Sequence, residues 1–445
     1  MNPWDHCLSG VCETGMSESF EPVHPSDPSD PSELGLPAAS RANGRRERKS
    51  LRAIVEFFIG GLCGLAFAFT LLFFVVTLLT GSTAGTRDFV VYWAAGRQLA
   101  HHGNPYDRAA ILQIERAAGL PAVNGVMFVR NPPWTLPITY PLGFIGLRTA
   151  SMLWSLLLIA CLAASVRLLW EMHGLPRNRI HLLGLTFAPA LACLIVGQTS
   201  LFALLGLVLF LRLHRTRPFL AGVALWLCAL KPHLFLPFGL VLLVWVVVTR
   251  SYRLVLGGVV AMAASCVVAW RIDPLAWSQY AEMMRNSGIE HEFIPCLSIV
   301  LRFWISPDSL WIQYVPAALA CLWALWYYWP RRAVWDWGTH GSLLMLVSLV
   351  AAPYSWLFDQ VLLLPALLQG AYLTRSRNAL VALAVGSMLV ELALCGGIWM
   401  PQAMYLWSQW ALPAWFGWYL IVSYLLPRHA GQPGAIVQRS QQASH

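Results

Sequence analysis

The sequence predicts an all-α integral membrane protein, and three observations support that fold class. Of the 445 residues, 58% are hydrophobic and only 11% are charged, whereas about 25% of the residues in ordinary soluble domains are charged. The apolar residues form many separate stretches rather than one. The charged residues concentrate between those stretches. This pattern excludes a soluble enzyme, a disordered protein and a coiled coil, and it predicts a polytopic helical bundle.

The chain divides into one hydrophobic domain with a polar segment at each end. Residues 1–50 are rich in Pro and Ser, and such a composition cannot bury enough apolar surface to fold. We therefore expect a disordered cytoplasmic tail there and a second one at residues 431–445. Residues 51–430 form the predicted transmembrane domain.

About twelve membrane spans are predicted within this domain. Several are shorter than the roughly 20 residues that a straight span requires, so we expect some helices to be tilted or to pack as short pieces. The predicted spans are 54–80, 148–170, 180–197, 199–213, 218–230, 234–249, 254–270, 309–329, 338–352, 357–373, 379–397 and 403–425.

The basic residues predict the orientation of the chain. With the N-terminus in the cytoplasm, 20 of the 30 Lys and Arg residues fall on cytoplasmic ends of spans or in the tails. Six of them lie between Arg41 and Arg52, directly before the first span. This asymmetry predicts that both termini are cytoplasmic. It also accounts for most of the net charge of +9, so no nucleic-acid partner is expected.

Two long segments, 81–147 and 271–308, then lie outside the membrane, and long ordered loops commonly carry function. The first should contain two short amphipathic helices. Asp88 falls in the first turn of one, and the other runs from Asp107 to Ala118. Four prolines follow and prevent an ordinary helix. Asp88 has two possible roles. It is either an acid that faces the positive end of the helix dipole, or a general base at the membrane surface.

Three further polar positions lie at outer ends of predicted spans, namely Gln198, Lys231 and Asp359. Each has an ordinary explanation as a turn residue, a lysine that reaches to the surface, or a first-turn acid. However, Lys231 is one of only two lysines in the chain, and it breaks the positive-inside pattern. Ionisable groups at such a depth are candidates for function. Because they share one side with Asp88, we expect a polar cavity that opens outward.

Five segments in order make the chain resemble glycosyltransferase family 87, a membrane group within the GT-C superfamily. The resemblance covers roughly residues 54–425. It departs from the family where Asn131-Pro132-Pro133 replaces the frequent Tyr-Pro-Pro and Lys231-Pro232-His233 replaces Lys-Pro-Gln. The five segments are DFVVYWAAGRQLAHHGNPYD, PPWTLPITYPL, GQTS, AGVALWLCALKPH and APYSWLFDQVLLLPAL.

The resemblance implies a GT-C-type bundle in a bacterial inner membrane with its active site facing the periplasm. Asp88 matches the catalytic carboxylate of such enzymes. The implied reaction moves a sugar, a hexose such as mannose, from a polyprenyl-phosphate donor to a lipid or glycan acceptor, with inversion. The partners are that donor, the acceptor and membrane lipids, and no cofactor or metal is expected. The alternative functions are a polytopic transporter or lipid flippase and a non-catalytic membrane scaffold.

Charge development on the leaving phosphate suggests roles for the remaining polar residues. Lys231 would contact the donor phosphate, helped by His233, Arg87 or Arg130. An inverting displacement needs only one base, whereas retaining hydrolases use a carboxylate pair. The residues expected to line the cavity are Tyr92, Asn131, Gln198, Tyr354 and Asp359, and the alternative bases are His101, His102 and His291.

Overall fold

The computed structural model describes residues 87–119, 129–177, 180–288, 292–294, 296–374, 376–399 and 410–426, with isolated positions 68, 72, 75 and 76. The side chains of Arg87 and of residues 394–399 are outside this description. Both predicted tails also lie outside the described residues, as does the first predicted span, 54–80, apart from the four isolated positions.

All regular elements in the described ranges are helices. Those of nine or more residues are α1 (Arg87–Ala100), α2 (Arg108–Ala117), α3 (Leu147–Met172), α4 (Ala188–Val196), α5 (Ser200–Leu213), α6 (Pro218–Cys228), α7 (Leu236–Thr249), α8 (Tyr252–Ile272), α9 (Ala276–Arg285), α10 (Leu297–Ile305), α11 (Val315–Tyr328), α12 (Trp337–Val350), α13 (Leu364–Leu373), α14 (Arg377–Trp399) and α15 (Ala411–Leu420).

Shorter helical turns connect these helices, and several extend them. They are Pro133–Thr135, Leu136–Thr139, Tyr140–Phe144, Ile180–Gly184, Pro232–Phe235, Leu310–Tyr314, Trp329–Val334, Leu357–Leu363 and Ile421–Leu425.

Four helical stretches in the described part of the chain are long and apolar enough to cross a membrane, so the all-helical membrane class is confirmed. They are Leu147–Met172, Pro232–Thr249, Tyr252–Ile272 and Leu310–Val334. Shorter apolar helices occupy most other predicted spans, such as Ser200–Leu213. The number of about twelve spans and the sidedness of the loops stay predictions.

One predicted span, 180–197, is not a continuous helix. A short 3₁₀ turn, Ile180–Gly184, precedes α4, whose first turn contains Pro189. Proline cannot donate the hydrogen bond that would carry a helix through this point, but it fits the first turn of a new one. A new helix, α4, therefore begins at Ala188, and its C-terminal end leads into the turn that contains Gln198.

The predicted helices of the first outer segment are present as α1 and α2. Asp107 caps α2 by accepting from the backbone N–H of Ala109 at 2.9 Å, so the predicted bounds of Asp107 to Ala118 are confirmed. The proline-rich segment that follows packs against α1. A Cβ added to Gly143 would lie only 2.1 Å from the carbonyl oxygen of Gly96, so this contact requires a residue without a side chain.

Hydrogen bonds attach the proline-rich segment to the apolar helices. The indole Nε1 of Trp134 donates to the carbonyl of Ala229 at 2.9 Å, and Ser265 on α8 donates to the carbonyl of Trp134 at 2.6 Å. The two outer segments also contact each other, since Arg130 forms an ion pair with Glu292. As a result, α1 is held across the ends of the longer helices.

Candidate active site

The carboxylate of Asp88 is held by an amide from another part of the chain. Gln198 lies in the turn between α4 and α5, and its Nε2 donates to Asp88 Oδ2 at 2.7 Å. The other end of the amide is also bonded, because Gln198 Oε1 accepts from the Tyr92 hydroxyl at 3.0 Å and from the backbone N–H of Thr199 at 3.2 Å. With both ends fixed, Gln198 holds the Asp88 carboxylate in one orientation.

The backbone at Gly197 allows this approach. Gly197 has a φ of +76°, a left-handed conformation that side-chain-bearing residues rarely adopt. A Cβ at this position would also lie 2.6 Å from the Cβ of Phe89. The Gly197 carbonyl accepts from Trp154 Nε1 at 2.7 Å. The turn is therefore pressed against α1 directly beside Asp88.

Tyr92 stays a hydrogen-bond donor in this arrangement. Burial, with a further contribution from the negative charge of Asp88, raises the pKa of the Tyr92 phenol well above its ordinary value. A phenol that remains protonated can donate to Gln198 Oε1, which orients the amide nitrogen toward Asp88.

A second network contains a buried ion pair. Lys231 Nζ lies 2.6 Å from Asp359 Oδ1, and the two side chains are only 10% and 1% exposed. Ser200 bridges them, since its Oγ accepts from Lys231 at 2.9 Å and donates to Asp359 Oδ1 at 2.6 Å. The second carboxylate oxygen of Asp359 accepts from the backbone N–H of Trp356 at 2.9 Å. Both oxygens of the Asp359 carboxylate therefore accept hydrogen bonds from groups of the protein itself.

The two networks meet at the N-terminus of α5, because Gln198 belongs to one and Ser200 to the other. The structure therefore brings together Asp88, Gln198, Lys231 and Asp359, which are distant in sequence. It also gives Lys231 an acidic partner that compensates its charge. Contact between Lys231 and a donor phosphate stays a prediction.

His233 and Tyr354 form a stacked pair next to this network. Their ring centroids are 3.8 Å apart and the ring planes differ by 20°. The Nε2 atom of His233 is buried and has no hydrogen-bond partner within the described ranges. Burial, with the charge of Asp359 adding to it, raises the pKa of the Tyr354 phenol. Among the described residues, the imidazole thus keeps one unsatisfied nitrogen beside the ion pair.

Arg130 and Asn131 have hydrogen bonds to residues of the outer segments. Arg130 forms its ion pair with Glu292, and the backbone carbonyl of Asn131 accepts from the Tyr106 hydroxyl at 3.1 Å. Arg87 begins α1, but its side chain lies outside the described part.

Two of the alternative bases lie far from Asp88. His101 and His102 are exposed beyond the other end of α1, about 20 Å along the helix axis from Asp88. His291 lies outside the described residues. Across the described ranges, no group of three or more His, Cys, Asp and Glu side chains is placed to hold a metal ion.

Sequence reasoning missed one charged residue, Arg302 on α10. Its side chain is fully buried, and neither Nε nor Nη2 has a hydrogen-bond partner among the described residues. The guanidinium lies over the ring of Phe303 at 4.8 Å. One turn earlier, Ser298 Oγ donates to the carbonyl of Ala352 at 2.7 Å, so α10 packs on the segment that carries Tyr354. The available signal was an arginine inside the apolar run LSIVLRFWI of a predicted outer segment.

Replacing Arg302 by methionine should raise the melting temperature of the purified protein by several degrees. Arg302 has no acidic partner among the described residues, and a buried cation in that state costs more in desolvation than it gains. An apolar side chain of similar length removes that cost. Arg271→Met, at an exposed position on α8, is the matched control and should leave the melting temperature unchanged. A fall in the Arg302→Met melting temperature would show that the guanidinium stabilises the ligand-free fold.

Comparison with known proteins gives one match. The model of glycosyltransferase family 87 matches residues 128–353, which is just over half of the chain. The matched region contains Gln198, Ser200 and Lys231, whereas Asp88 lies before it and Asp359 shortly after it. No curated protein and no solved structure matches the chain.

Proposed function

The chain belongs to glycosyltransferase family 87, and we propose that it transfers a hexose such as mannose from a polyprenyl-phosphate donor to a lipid or glycan acceptor. It is a membrane glycosyltransferase. The observation that carries the finer proposal is the Asp88 carboxylate, oriented by Gln198 next to a buried Lys231–Asp359 pair. Both features lie at the same ends of apolar helices, where a lipid-linked donor can enter from the membrane.

In the proposed reaction, Asp88 is the general base. The acceptor hydroxyl oxygen attacks the anomeric carbon of the donor sugar while the bond from that carbon to the phosphate oxygen breaks. The hydroxyl proton passes to Asp88, and the bonding electrons leave with polyprenyl phosphate. One direct displacement inverts the anomeric centre and requires no second carboxylate.

Several residues are proposed to bind the leaving phosphate. His233 has a buried Nε2 atom without a partner among the described residues. Burial disfavours the charged imidazolium, so the neutral tautomer with its proton on Nε2 would donate to a phosphate oxygen. Lys231 lies in the same cluster and would share its charge between Asp359 and the phosphate. Arg130 and Arg87 belong to the outer segment that covers this end of the helices, and they remain candidates for the same anion.

The sugar and acceptor are proposed to lie among Tyr92, Asn131, Gln198, Tyr354 and Asp359. Amide, hydroxyl and carboxylate groups of this kind recognise sugar hydroxyls by hydrogen bonds. The short loops rich in arginine lie at the opposite ends of the helices, which supports an active site on the periplasmic face of the inner membrane with both termini in the cytoplasm.

The donor class is tested by incubating purified protein with polyprenyl-phosphate mannose, glucose or arabinose and a native lipid extract, with products read by mass spectrometry. We expect a glycosylated lipid or glycan from at least one of these donors. Parallel reactions receive the corresponding nucleotide sugars and no polyprenyl phosphate, and they should give no product. Transfer from a nucleotide sugar alone would overturn the proposed donor, while leaving the family assignment unchanged.

A further inference from the structure

A polar cavity lies at the other end of the bundle from Asp88. It has a volume of about 520 Å³ and is formed where α5 ends, where α6 begins and where α7 turns into α8. Helix α5 contains 14 residues, which corresponds to about 20 Å between its two ends. The cavity is thus separate from the network around Ser200.

The cavity carries a concentration of positive charge. Arg215, Arg250 and Arg253 all line it. Arg215 forms an ion pair with Asp336 at 2.9 Å, which compensates one of the three charges. For Arg250 and Arg253, no ion pair is found in the part of the chain that the structure describes. Arg250 and Arg253, without an acidic partner among the described residues, therefore face a cavity large enough for a phosphate and its substituents.

A buried polar atom in the cavity wall also lacks a partner. His214 is only 7% exposed, and its Nδ1 donates to the carbonyl of Leu211 at 3.0 Å. Its Nε2 is buried and has no hydrogen-bond partner among the described residues. Trp245 packs edge-on against the imidazole at 6.1 Å and holds the ring in place. The positive-inside rule by itself explains arginines on the predicted cytoplasmic side. It does not explain a histidine with an unsatisfied nitrogen in the wall of a cavity.

The surroundings of the cavity are apolar. Large apolar side chains that are at least one-third exposed adjoin the lining residues in sequence, as expected for helix faces in contact with lipid. They are Phe219 and Leu220 after Pro218, Val247 and Val248 before Arg250, and Val255 and Leu256 after Arg253. A ligand that fits both features combines a phosphate with hydrocarbon chains.

We propose that this cavity binds the phosphate of an anionic phospholipid. Arg250 and Arg253 contact the phosphate oxygens. Burial lowers the pKa of His214, whereas the bound anion stabilises the protonated imidazole, whose Nε2 then donates to the same headgroup. The acyl chains lie along the exposed apolar faces of α6 and α8. Basic pockets between membrane helices are suited to such headgroups. The lipid would tie together the ends of α5, α6 and α8, independently of the reaction proposed above.

Native mass spectrometry of the purified full-length protein, titrated with phosphatidylglycerol or phosphatidylcholine, tests this site. We expect the wild type to retain phosphatidylglycerol in preference to phosphatidylcholine. Arg250→Gln/Arg253→Gln should weaken phosphatidylglycerol binding roughly 30-fold, since one arginine beside an anionic headgroup contributes on the order of fivefold in affinity. His214→Phe keeps the aromatic packing, loses Nε2 and should also weaken binding.

The matched control is Arg331→Gln/Arg332→Gln. These arginines lie at the same ends of the helices, and their guanidinium groups bond to the carbonyls of Tyr327 and Trp329 instead of lining the cavity. The control should bind phosphatidylglycerol like the wild type. Equal losses in both double variants, or no preference for the anionic lipid, would overturn the proposal. So would displacement of the lipid by millimolar inorganic phosphate, because the site would then recognise the free anion.

Discussion

Asp88→Asn should lower the rate of sugar transfer by a factor on the order of 10² to 10⁴, the usual contribution of a general base. Asparagine has nearly the same shape as aspartate, and its side-chain oxygen can still accept the hydrogen bond from Gln198 Nε2. The fold and the binding of the donor should therefore be retained. Initial rates with the best donor from the panel, read by mass spectrometry, give the comparison.

The matched control for this substitution is Asp308→Asn. Asp308 is an exposed acid of the second outer segment, so the same chemical change there should leave the transfer rate within about twofold of the wild type. If Asp88 were only a first-turn acid facing the helix dipole, Asp88→Asn would cost about 0.3–1 kcal/mol of stability and leave transfer intact. That result would remove Asp88 from the reaction.

Local patterns predicted several elements of this protein well. The bounds of α2, Asp107 to Ala118, were predicted from the local sequence, and the interruption of helices by Pro132 and Pro133 followed from the missing donor of proline. Lys231 was predicted to be functional because it is a lysine inside an apolar run, where burial of its charge costs free energy unless a partner compensates it. Each of these inferences depends only on residues that are neighbours in the sequence, so the sequence alone is sufficient to make it.

Contacts between distant residues could not be predicted in the same way. Asp359 is 128 positions from Lys231, and nothing in either local sequence specifies the other as its partner. Both residues were expected near a cavity, and the structure pairs them directly at 2.6 Å, with Ser200 bonded to both. Arg302 became notable only through its burial without a partner, which depends on how α10 packs. Helix continuity at Ala188 was likewise misjudged, since apolar composition alone does not locate a break.

Substitutions that break the Lys231–Asp359 pair should lower the free energy of unfolding more than Asp88→Asn does. Lys231→Met leaves a buried carboxylate without its cation, and removing one partner of a buried ion pair costs about 3–5 kcal/mol. Asp359→Asn should be similarly harmful, because it leaves the lysine charge buried. The double variant Lys231→Met/Asp359→Asn should recover most of this loss, since the asparagine oxygen can accept from the Trp356 N–H and its amide can donate to Ser200. Unfolding of all four proteins in detergent completes the double-mutant cycle.

The same cycle separates a structural role of Lys231 from contact with the donor. Arg167–Glu171 is a more exposed pair on α3, and Arg167→Met should cost less than about 1 kcal/mol, which calibrates the burial effect. If Lys231 binds the donor phosphate, the double variant will be folded yet will have a raised KM for the donor. If the double variant recovers both stability and KM, Lys231 acts only through Asp359, and the phosphate must be held by other groups such as His233. Single substitutions cannot make this distinction, because loss of the fold and loss of the contact would coincide.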